Sequence, residues 1–251
     1  MGTSISIVIC GPPAVAAIVS PGVAMRAGAA AVDYNEVFML TVNEVFFSIQ
    51  GESTYAGQPC VFVRLTACDL RCSWCDTAYA FFEGRKRSID EVLEDVREYR
   101  CDLVEVTGGE PLLQEDVYPL MDRLLAGGHT VLLETGGHRS IARVPAGVIA
   151  VVDVKCPGSG EADKVDWENL ARLRPHDQVK FVIADRADYE FARDVLARHD
   201  LASRTSAVLF SPVHGALQPR DLSEWVLADR LPVRVQLQVH KYIWGATVRG
   251  V

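Results

Sequence analysis

Residues 67–77 read ACDLRCSWCDT and bring three cysteines, Cys68, Cys72 and Cys75, into a span of eight residues. Three thiolates at this spacing suit a soft metal centre held by one loop better than a disulfide framework. A four-iron cluster with three protein ligands would leave one iron open to a bound cofactor. Zinc would need a fourth Cys or His at motif spacing, and none follows here. A zinc site and inert buried cysteines are therefore the weaker alternatives.

The composition of the 251-residue chain is that of an ordinary globular protein, with 49% hydrophobic and 23% charged residues. This length fits one domain with a large core. The net charge of −8 offers no general basic surface, so we expect no nucleic-acid partner. Seven cysteines, three of them clustered, indicate a reducing cytoplasm rather than a secreted protein.

The first 38 residues differ from the rest of the chain. Residues 5–32 are rich in Ala, Val, Gly and Pro and carry almost no charge. They do not predict a membrane-spanning helix, because Pro12, Pro13, Pro21 and Arg26 interrupt the apolar run. They also lack the basic start of a secretory signal. We expect residues 1–38 to be a non-core extension and residues 39–251 to form the domain, although the apolar extension has the composition to pack on it.

From Met39 onward, strand-like runs alternate with amphipathic helical runs, which predicts an α/β fold with βαβ units and a parallel sheet. The predicted strands are Val42–Phe47, Val61–Leu65, Leu103–Val106, Thr130–Leu133, Val148–Val152, Gln178–Ile183, Ala207–Phe210 and Val233–Val239. The predicted helices are Ser88–Tyr99, Leu112–Leu125, Trp167–Leu173, Ala187–His199 and Pro219–Asp229. Ser88 and Glu91 match a helix capping box.

Polar and glycine-rich clusters follow six of these strands. They are the cysteine loop, TGGEP at 107–111, ETGG at 134–137, DVKCPG at 153–158, SPVHG at 211–215 and His240-Lys241. Any one of them alone is explained by turn chemistry. Six in succession indicate a site at the carboxyl ends of the strands, where (β/α) barrels and open α/β sheets bind ligands.

The cysteine spacing and the TGGEP segment together resemble the radical S-adenosylmethionine (SAM) superfamily. Within it, four segments are similar to the 7-carboxy-7-deazaguanine synthase family: SIQGE at 48–52, VFVRL at 61–65, CSWCDT at 72–77 and QVHKYIWG at 238–245. The resemblance covers Met39 to Val251. It implies a modified partial (β/α) barrel of the radical SAM type.

The resemblance also implies an activity. The family converts 6-carboxy-5,6,7,8-tetrahydropterin to 7-carboxy-7-deazaguanine with loss of ammonia, a step toward 7-deazapurines such as queuosine. Its cofactors would be a 4Fe-4S cluster, SAM, which serves as a reusable source of the 5′-deoxyadenosyl radical, and Mg²⁺. Its partners would be a flavodoxin- or ferredoxin-type reductant and a second copy of the chain, as a homodimer. No membrane partner is expected.

The site residues implied by the resemblance fall into three groups. Cys68, Cys72 and Cys75 would hold the cluster, and Thr77 would ligate Mg²⁺. The SAM pocket would include Trp74, Cys75, Asp76, Gly109, Asp153, Lys155 and Ser211, of which Asp153-Val154-Lys155 stands where many relatives carry Ser-Pro-Lys. The pterin would contact Ile49, Gln50, Gly51, Arg64 and Thr107, and the Val251 carboxylate would meet its guanidine edge as in some relatives.

Elementary chemistry adds to these roles. Glu110 suits the SAM ammonium, and Glu52 can accept N–H donors from the pterin. Arg64 can grip the substrate carboxylate with two parallel hydrogen bonds. His240 is as consistent with a core or strand-end histidine as with a substrate contact. His214 receives no role. Four other cysteines are interpreted as buried thiols: Cys10, Cys60, Cys101 and Cys156.

Two alternatives to this function stay open at the level of sequence. The first is an activating enzyme that forms a glycyl radical on a partner protein, which also uses C-x₃-C-x₂-C in a short barrel. It would not need Gln50, Glu52 and Arg64 together. The second is a non-catalytic module stabilised by zinc. A brown colour would separate an iron–sulfur protein from the zinc module.

Overall fold

The computed structural model describes residues 38–251. The expectation for the segment 1–38 falls outside the described residues apart from Phe38, and it stays a prediction. Among the helices of residues 38–251, none combines the length and apolarity that a bilayer crossing requires.

Nine strands form one sheet in the described part of the chain, in the order β3-β1-β2-β4-β5-β6-β7-β8-β9. The strands are Met39–Ile49 (β1), Pro59–Leu65 (β2), Arg85–Ser88 (β3), Leu103–Gly108 (β4), Thr130–Thr135 (β5), Ile149–Asp153 (β6), Gln178–Ile183 (β7), Ala207–Pro212 (β8) and Arg234–Val235 (β9). The helices are Ile89–Glu98 (α1), Val117–Ala126 (α2), Glu168–Arg172 (α3), Arg186–Arg198 (α4), Leu201–Arg204 (α5), Pro219–Asp229 (α6) and Val239–Ile243 (α7). Single 3₁₀ turns cover Ala78–Phe81, Pro111–Leu113, Pro157–Ser159 and Ala162–Lys164.

The parallel part of the sheet runs from β2 through β4 to β9, as the alternating pattern predicted. The other end differs, because β1 pairs antiparallel with both β2 and β3. The sequence analysis missed β3, since Arg85-Lys86-Arg87-Ser88 has no apolar alternation. That edge strand exists through its pairing with residues 39–42 of β1.

The predicted strand over Val233–Val239 is wrong beyond Val235. Its alternating pattern is typical of a strand, but only Arg234 and Val235 pair with β8. The chain then leaves the sheet, because the side chains of Gln236 and Gln238 donate to Glu52 and the Val239 N–H donates to the Gly51 carbonyl. His240 consequently lies in the short helix α7 and not at a strand end.

The predicted helix Leu112–Leu125 is interrupted at its start. Residues 111–113 form a 3₁₀ turn whose Leu112 N–H is bound by the Glu110 side chain, and α2 begins only at Val117. The Gln114 side chain bonds instead to the backbone of Thr41 and Thr66. These bonds hold the segment against β1 and β2, so it cannot continue as a regular helix.

Helix α1 shows how local signals and packing agree. The Ser88 hydroxyl accepts from the Glu91 N–H and the Glu91 carboxylate accepts from the Ser88 N–H, which confirms the predicted capping box. Four buried apolar residues of this helix pack into the core between helices and sheet: Ile89, Val92, Leu93 and Val96. Burial of this face fixes the helix on the outer side of the sheet.

The two faces of the strands carry different chemistry, as the two-residue period of a strand requires. On β2, Val61, Val63 and Leu65 join the large core under the helices. On the opposite face, Cys60 and Phe62 belong to a small apolar cluster that Phe46, Leu103 and Leu132 complete. Beyond that cluster the inner face becomes polar, and there it lines a cavity.

Candidate active site

The site is a cavity of about 600 Å³ at the carboxyl ends of the parallel strands. Successive strands each contribute an inward-facing polar side chain: Arg64 (β2), Glu105 and Thr107 (β4), Glu134 (β5), Asp153 (β6) and Lys180 (β7). The cysteine loop and the C-terminal residues 245–251 supply further walls. The prediction that the polar strand ends meet in one place is thus confirmed in space for five of the six clusters, while His240 reaches the cavity from α7.

Cys68, Cys72 and Cys75 all line this cavity as free, half-buried thiols. Burial raises the pKa of Cys68 to about 11, and burial also raises the pKa of Cys72 although Lys155 partly opposes it. Such thiols need a bound cation to become thiolates, so their chemistry fits an iron–sulfur cluster. Within residues 38–251 no three His, Cys, Asp or Glu side chains converge closely enough to share a single metal ion. Cysteines that bind separate irons of one cluster need no such convergence.

The cysteine loop is held from three directions. The Asp69 carboxylate pairs with His138, at 2.6 Å, and with Arg139, both in the loop after β5. The Ser73 N–H donates to the Ser159 carbonyl at 3.0 Å. A β-carbon on Gly109 would overlap the Ala67 carbonyl oxygen and lie 2.8 Å from the Cys68 Cβ, so only glycine allows the TGGEP segment to approach the loop this closely.

Most residues predicted for the SAM pocket lie at the cavity. Trp74, Cys75, Asp76, Gly109, Glu110, Asp153 and Lys155 line it, and the Lys155 ammonium donates to the Asp153 carboxylate at 2.7 Å. Ser211 does not line it; its side chain is fully buried and its hydroxyl has no partner in the described part of the chain. Their roles toward SAM stay predictions.

The carboxylate of Glu110, which was predicted to bind the SAM ammonium, already accepts several hydrogen bonds within the protein. Its side chain is fully buried, and its oxygens accept hydrogen bonds from the N–H groups of Leu112 and Gly136 and from the Thr135 hydroxyl. Burial raises the pKa of Glu110 despite the nearby His138 and these bonds. In this arrangement Glu110 ties β5 to the TGGEP segment.

Of the residues predicted to contact the pterin, all but one line the cavity. Ile49, Gly51, Glu52, Arg64, Thr107, His240 and Val251 all line the cavity. Gln50 does not. Its amide donates to Glu105 and its oxygen accepts from the Glu52 N–H at 2.9 Å, so it holds the β1–β2 loop from behind. Gln50 as a direct pterin contact stays a prediction.

A group of buried charges forms the floor of the cavity, and most of it was missed by the sequence analysis. The Lys180 ammonium donates to the Glu52 carboxylate at 2.9 Å and to Glu134, and Asp153 lies 3.8 Å away. Burial, together with Glu134 and Glu52, raises the pKa of Glu105 well above its usual range. The missed signal was charge at alternate positions inside otherwise apolar strands, Glu105 in LVEV and Lys180 in QVKFVI.

Thr77 and Asp76 lie beside the last cysteine. The Thr77 hydroxyl is 3.8 Å from the Cys75 sulfur and makes no capping bond to the 3₁₀ turn that follows. The Asp76 carboxylate pairs with Lys241 of α7 at 2.6 Å. Both residues offer hard oxygen atoms at the cavity wall.

The remaining predicted thiols are placed as follows. Cys60 and Cys156 are buried, whereas Cys101 is partly exposed, so its prediction as a buried thiol is wrong. Cys101 lies just before β4, where its sulfur contacts the Pro59 carbonyl at the sheet end. Cys10 falls outside the described residues.

Comparisons with known families, curated proteins and solved structures agree with the family resemblance of the sequence motifs. A family model described as the Radical SAM superfamily matches residues 63–146. A curated 7-carboxy-7-deazaguanine synthase from Koribacter versatilis is 51% identical over 84% of this chain and 100% of its own. The synthase of that name from Chlorobaculum tepidum is 46% identical over 84% of this chain and 97% of its own. The crystal structure of QueE from Escherichia coli matches with a TM-score of 0.68 at 23% identity, over 80% of this chain and 95% of that chain. This likeness confirms the predicted modified partial (β/α) barrel.

Proposed function

Because the chain belongs to the 7-carboxy-7-deazaguanine synthase family of radical SAM enzymes, we propose that it converts 6-carboxy-5,6,7,8-tetrahydropterin to 7-carboxy-7-deazaguanine with release of ammonia. One observation carries this: a single cavity is lined both by three free cysteines and by a set of carboxylates and an arginine that suit a carboxypterin. Neither the glycyl-radical activase nor the zinc module is favoured by the relatives.

As a radical SAM enzyme the protein uses a 4Fe-4S cluster and SAM. When bound, the two supply a 5′-deoxyadenosyl radical that abstracts hydrogen. The chain's own contribution is to hold the reacting carbon near that group and to exclude other reactions. Cys68, Cys72 and Cys75 are the proposed cluster ligands. We propose that Lys155 attracts the SAM carboxylate, because its side chain lines the cavity and its charge acts on the Cys72 thiol.

The polar groups of the cavity are arranged to orient the substrate. Arg64 of β2 leans toward β1, where Glu44 binds it, whereas Glu134 and Lys180 rise from β5 and β7. Adjacent strands lie about 4.8 Å apart, and Arg64 of β2 is two strand spacings from the Glu134 carboxylate of β5 and four from Lys180 of β7. A carboxypterin would therefore bind with its carboxylate toward Arg64 and its guanidine edge toward the carboxylates.

We also propose a Mg²⁺ ion held by the Thr77 hydroxyl together with substrate oxygens. Mg²⁺ prefers hard oxygen ligands and keeps several waters, and the Thr77 oxygen faces the cavity without a capping partner. The ion would orient the substrate carboxylate and ring. Thr77→Ala should reduce Mg²⁺ stimulation of turnover while the visible spectrum of the cluster is unchanged. Equal stimulation in both proteins would argue against this ligand.

The reductant is proposed to be a flavodoxin- or ferredoxin-type carrier that approaches the outer side of the cysteine loop. Asp69, Arg71 and Ser73 are exposed there, and the neighbouring Phe82 is 81% exposed. A homodimer is proposed on the resemblance alone, and light scattering of the purified protein would test it.

The deciding experiment is anaerobic turnover of the reconstituted enzyme with the carboxypterin, SAM, Mg²⁺ and a chemical reductant, with detection of 7-carboxy-7-deazaguanine and ammonia. Cys72→Ala should abolish both the brown colour and SAM cleavage. Cys101→Ala is the matched control, because this thiol lies outside the cavity and should change neither. Reconstituted enzyme that cleaves SAM but leaves the pterin unchanged would refute the proposed substrate.

A further inference from the structure

Lys180 is a buried cation at the centre of the cavity floor. It lies in the middle of β7, and its side chain is only 5% exposed. Its ammonium contacts carboxylates from three separate segments: Glu52 of the β1–β2 loop at 2.9 Å, Glu134 of β5, and Asp153 of β6 at 3.8 Å. Leaving any of these carboxylates buried without its cation would be costly, so the four groups form one unit.

The surrounding elements add further charges that face this unit. They are Glu105 of β4, bound by Gln50, Lys155 just after β6, bound by Asp153, and His240 of α7. Because the raised pKa of Glu105 favours its neutral form, three carboxylates, Glu52, Glu134 and Asp153, share two lysines. The excess of carboxylate makes the floor a surface for hydrogen-bond donors and an unfavourable one for an anion.

Counting the acceptor positions shows which oxygens are left for a ligand. A carboxylate offers about four lone-pair positions. Those of Glu52 are largely used by Lys180, by Gln238 at 2.9 Å and by Gln236 at 3.3 Å. Glu134 gives one oxygen to Lys180, and its other oxygen has only a 3.5 Å contact from the Thr107 hydroxyl. Of the two carboxylates, Glu134 is the one that keeps an acceptor position open, within the described part of the chain.

We propose that Lys180 is a positioning residue that holds the carboxylates of Glu52 and Glu134 in place at the cavity floor, so that the floor selects a ligand edge rich in N–H donors. This inference rests on the proposed function, in which that edge is the guanidine portion of the pterin. Lys180 itself donates to protein carboxylates and does not touch the substrate. It acts through the groups it holds.

The protonation states are consistent with this role. Burial opposes the charge of Lys180, but Glu134, Glu52 and Asp153 outweigh it and raise the pKa of Lys180 well above its usual range. Burial would raise the pKa of Glu52, but Lys180, the Gln238 hydrogen bond and His240 outweigh it and lower that pKa to about 2. Lys180 therefore stays cationic and Glu52 stays anionic around neutral pH.

The test uses the full-length, cluster-loaded protein with SAM bound, and measures binding of 6-carboxypterin, a fluorescent oxidised analogue that does not turn over. A second probe, 6-carboxylumazine, replaces the 2-amino donor by an oxygen. The variants are Lys180→Met, Lys180→Arg and, as the matched control, Lys86→Met, whose lysine is exposed on β3. Binding is followed from pH 5.5 to 9.

The unmodified protein should prefer the amino compound to the oxo compound by at least about 100-fold, because a site built for N–H donors rejects an analogue without them. Lys180→Met should weaken the binding of 6-carboxypterin by at least about tenfold, the loss expected for one charged hydrogen bond. It should also reduce the preference for the amino compound over the oxo compound. Without the cation the pKa of Glu52 should rise, because Lys180 is the main group that lowers it, so binding should be lost at a higher pH when the solution is made more acidic. Lys180→Arg should restore binding at the acid end of the pH range. Lys86→Met should bind both compounds as the unmodified protein does.

Unchanged affinity, preference and pH dependence in a folded Lys180→Met protein would overturn the inference. If that variant does not fold, Lys180→Gln, whose amide can still donate hydrogen bonds but carries no charge, has the same expectation for binding, and unchanged binding in it would overturn the inference equally. The two proposals fail separately. A lack of pterin turnover by the unmodified enzyme refutes the proposed function, whereas normal turnover with an indifferent Lys180 refutes only the role of Lys180.

Discussion

Arg64 enters the cavity with one of its nitrogen atoms already bound. Its Nε donates to Glu44 at 2.7 Å, and the same carboxylate oxygen accepts from the Tyr79 hydroxyl at 2.9 Å. The guanidinium carbon lies 5.5 Å from the centre of the Phe46 ring. Its two terminal nitrogens have no partner within residues 38–251, which is the arrangement that a bidentate carboxylate contact requires.

Arg64→Lys should raise the KM for the carboxypterin by at least about tenfold and change kcat less, because an ammonium cannot reproduce two parallel hydrogen bonds. Steady-state kinetics at saturating SAM measures both constants. Arg85→Lys, on the exposed edge strand β3, serves as the control and should behave as the unmodified enzyme. A KM that does not move in Arg64→Lys would show that another group anchors the carboxylate.

Gly51 is required by the close approach of α7. A β-carbon at this position would overlap Nδ1 of His240 and lie 2.7 Å from Cγ of the same ring, while the Gly51 carbonyl accepts from the Val239 N–H. The sequence analysis placed Gly51 among the pterin contacts. The structure adds that its lack of a side chain admits the histidine.

Gly51→Ala should therefore displace α7 and lower kcat/KM by about 10- to 100-fold, the range expected for a small misplacement of site residues. Amide hydrogen exchange of residues 239–243 should become faster while the cluster spectrum stays the same. Adding His240→Ala removes the overlap and should return the exchange rates toward those of the unmodified protein. Slow exchange in Gly51→Ala would mean that the loop absorbs the methyl group elsewhere.

At the scale of elements, the C-terminal segment 236–251 is the part whose structure departs most from the sequence pattern. It crosses from β9 to the β1–β2 loop through the bonds to Glu52 and Gly51, and then to the cysteine loop through the Lys241–Asp76 pair. Near its end, the Arg249 guanidinium lies 3.8 Å from the centre of the Tyr79 ring and pairs with Glu83 at 3.0 Å. The segment thus connects the proposed substrate and cofactor regions.

Removing Arg249 to Val251 should lower turnover without changing the cluster spectrum, because the deleted residues line the cavity but are not among the proposed cluster ligands. Extending the chain with a C-terminal tag should have a similar effect by displacing the Val251 carboxylate. Initial rates and visible spectra of both proteins provide the measurement. If kcat and KM of both equal those of the unmodified enzyme, the terminal residues have no part in binding.

At the scale of the whole molecule, the domain predicted for residues 39–251 stays a prediction. β1 starts at Met39, whose N–H donates to the Asp116 carboxylate at 2.7 Å, and pairs on both sides. The relative from Koribacter versatilis is matched over its whole length by 84% of this chain. Both observations are consistent with a domain formed by residues 39–251.

A chain that begins at Met39 should fold, bind about four irons as expected for one cluster with three cysteine ligands, and turn over at the rate of the full-length protein. The new terminal ammonium would lie beside Asp116 and form an ion pair with it. Iron content, melting temperature and turnover of the two proteins are compared. Insolubility or lost activity of the shorter chain would show that the first 38 residues pack on the domain.

The sequence by itself determined the features that depend on local pattern or on residue chemistry. Short runs of apolar and β-branched residues located seven of the eight predicted strands, since each of them buries one face or both within its own length. The cysteine spacing and the TGGEP segment indicated the cofactor chemistry, because three soft ligands in one loop are specific without any distant partner. The capping box at Ser88 was readable for the same reason.

Only the tertiary structure decided the features that rest on contacts between distant segments. Lys180 meets Glu52 across 128 positions of sequence, and Gln238 meets Glu52 across 186. No local period encodes such a pair, so the floor of the cavity was missed and the strand after Val235 was wrong. In that segment the strand pattern competed with hydrogen bonds to a buried carboxylate, and the carboxylate prevailed because leaving it unsatisfied in the interior costs more than a few ladder bonds at a sheet edge.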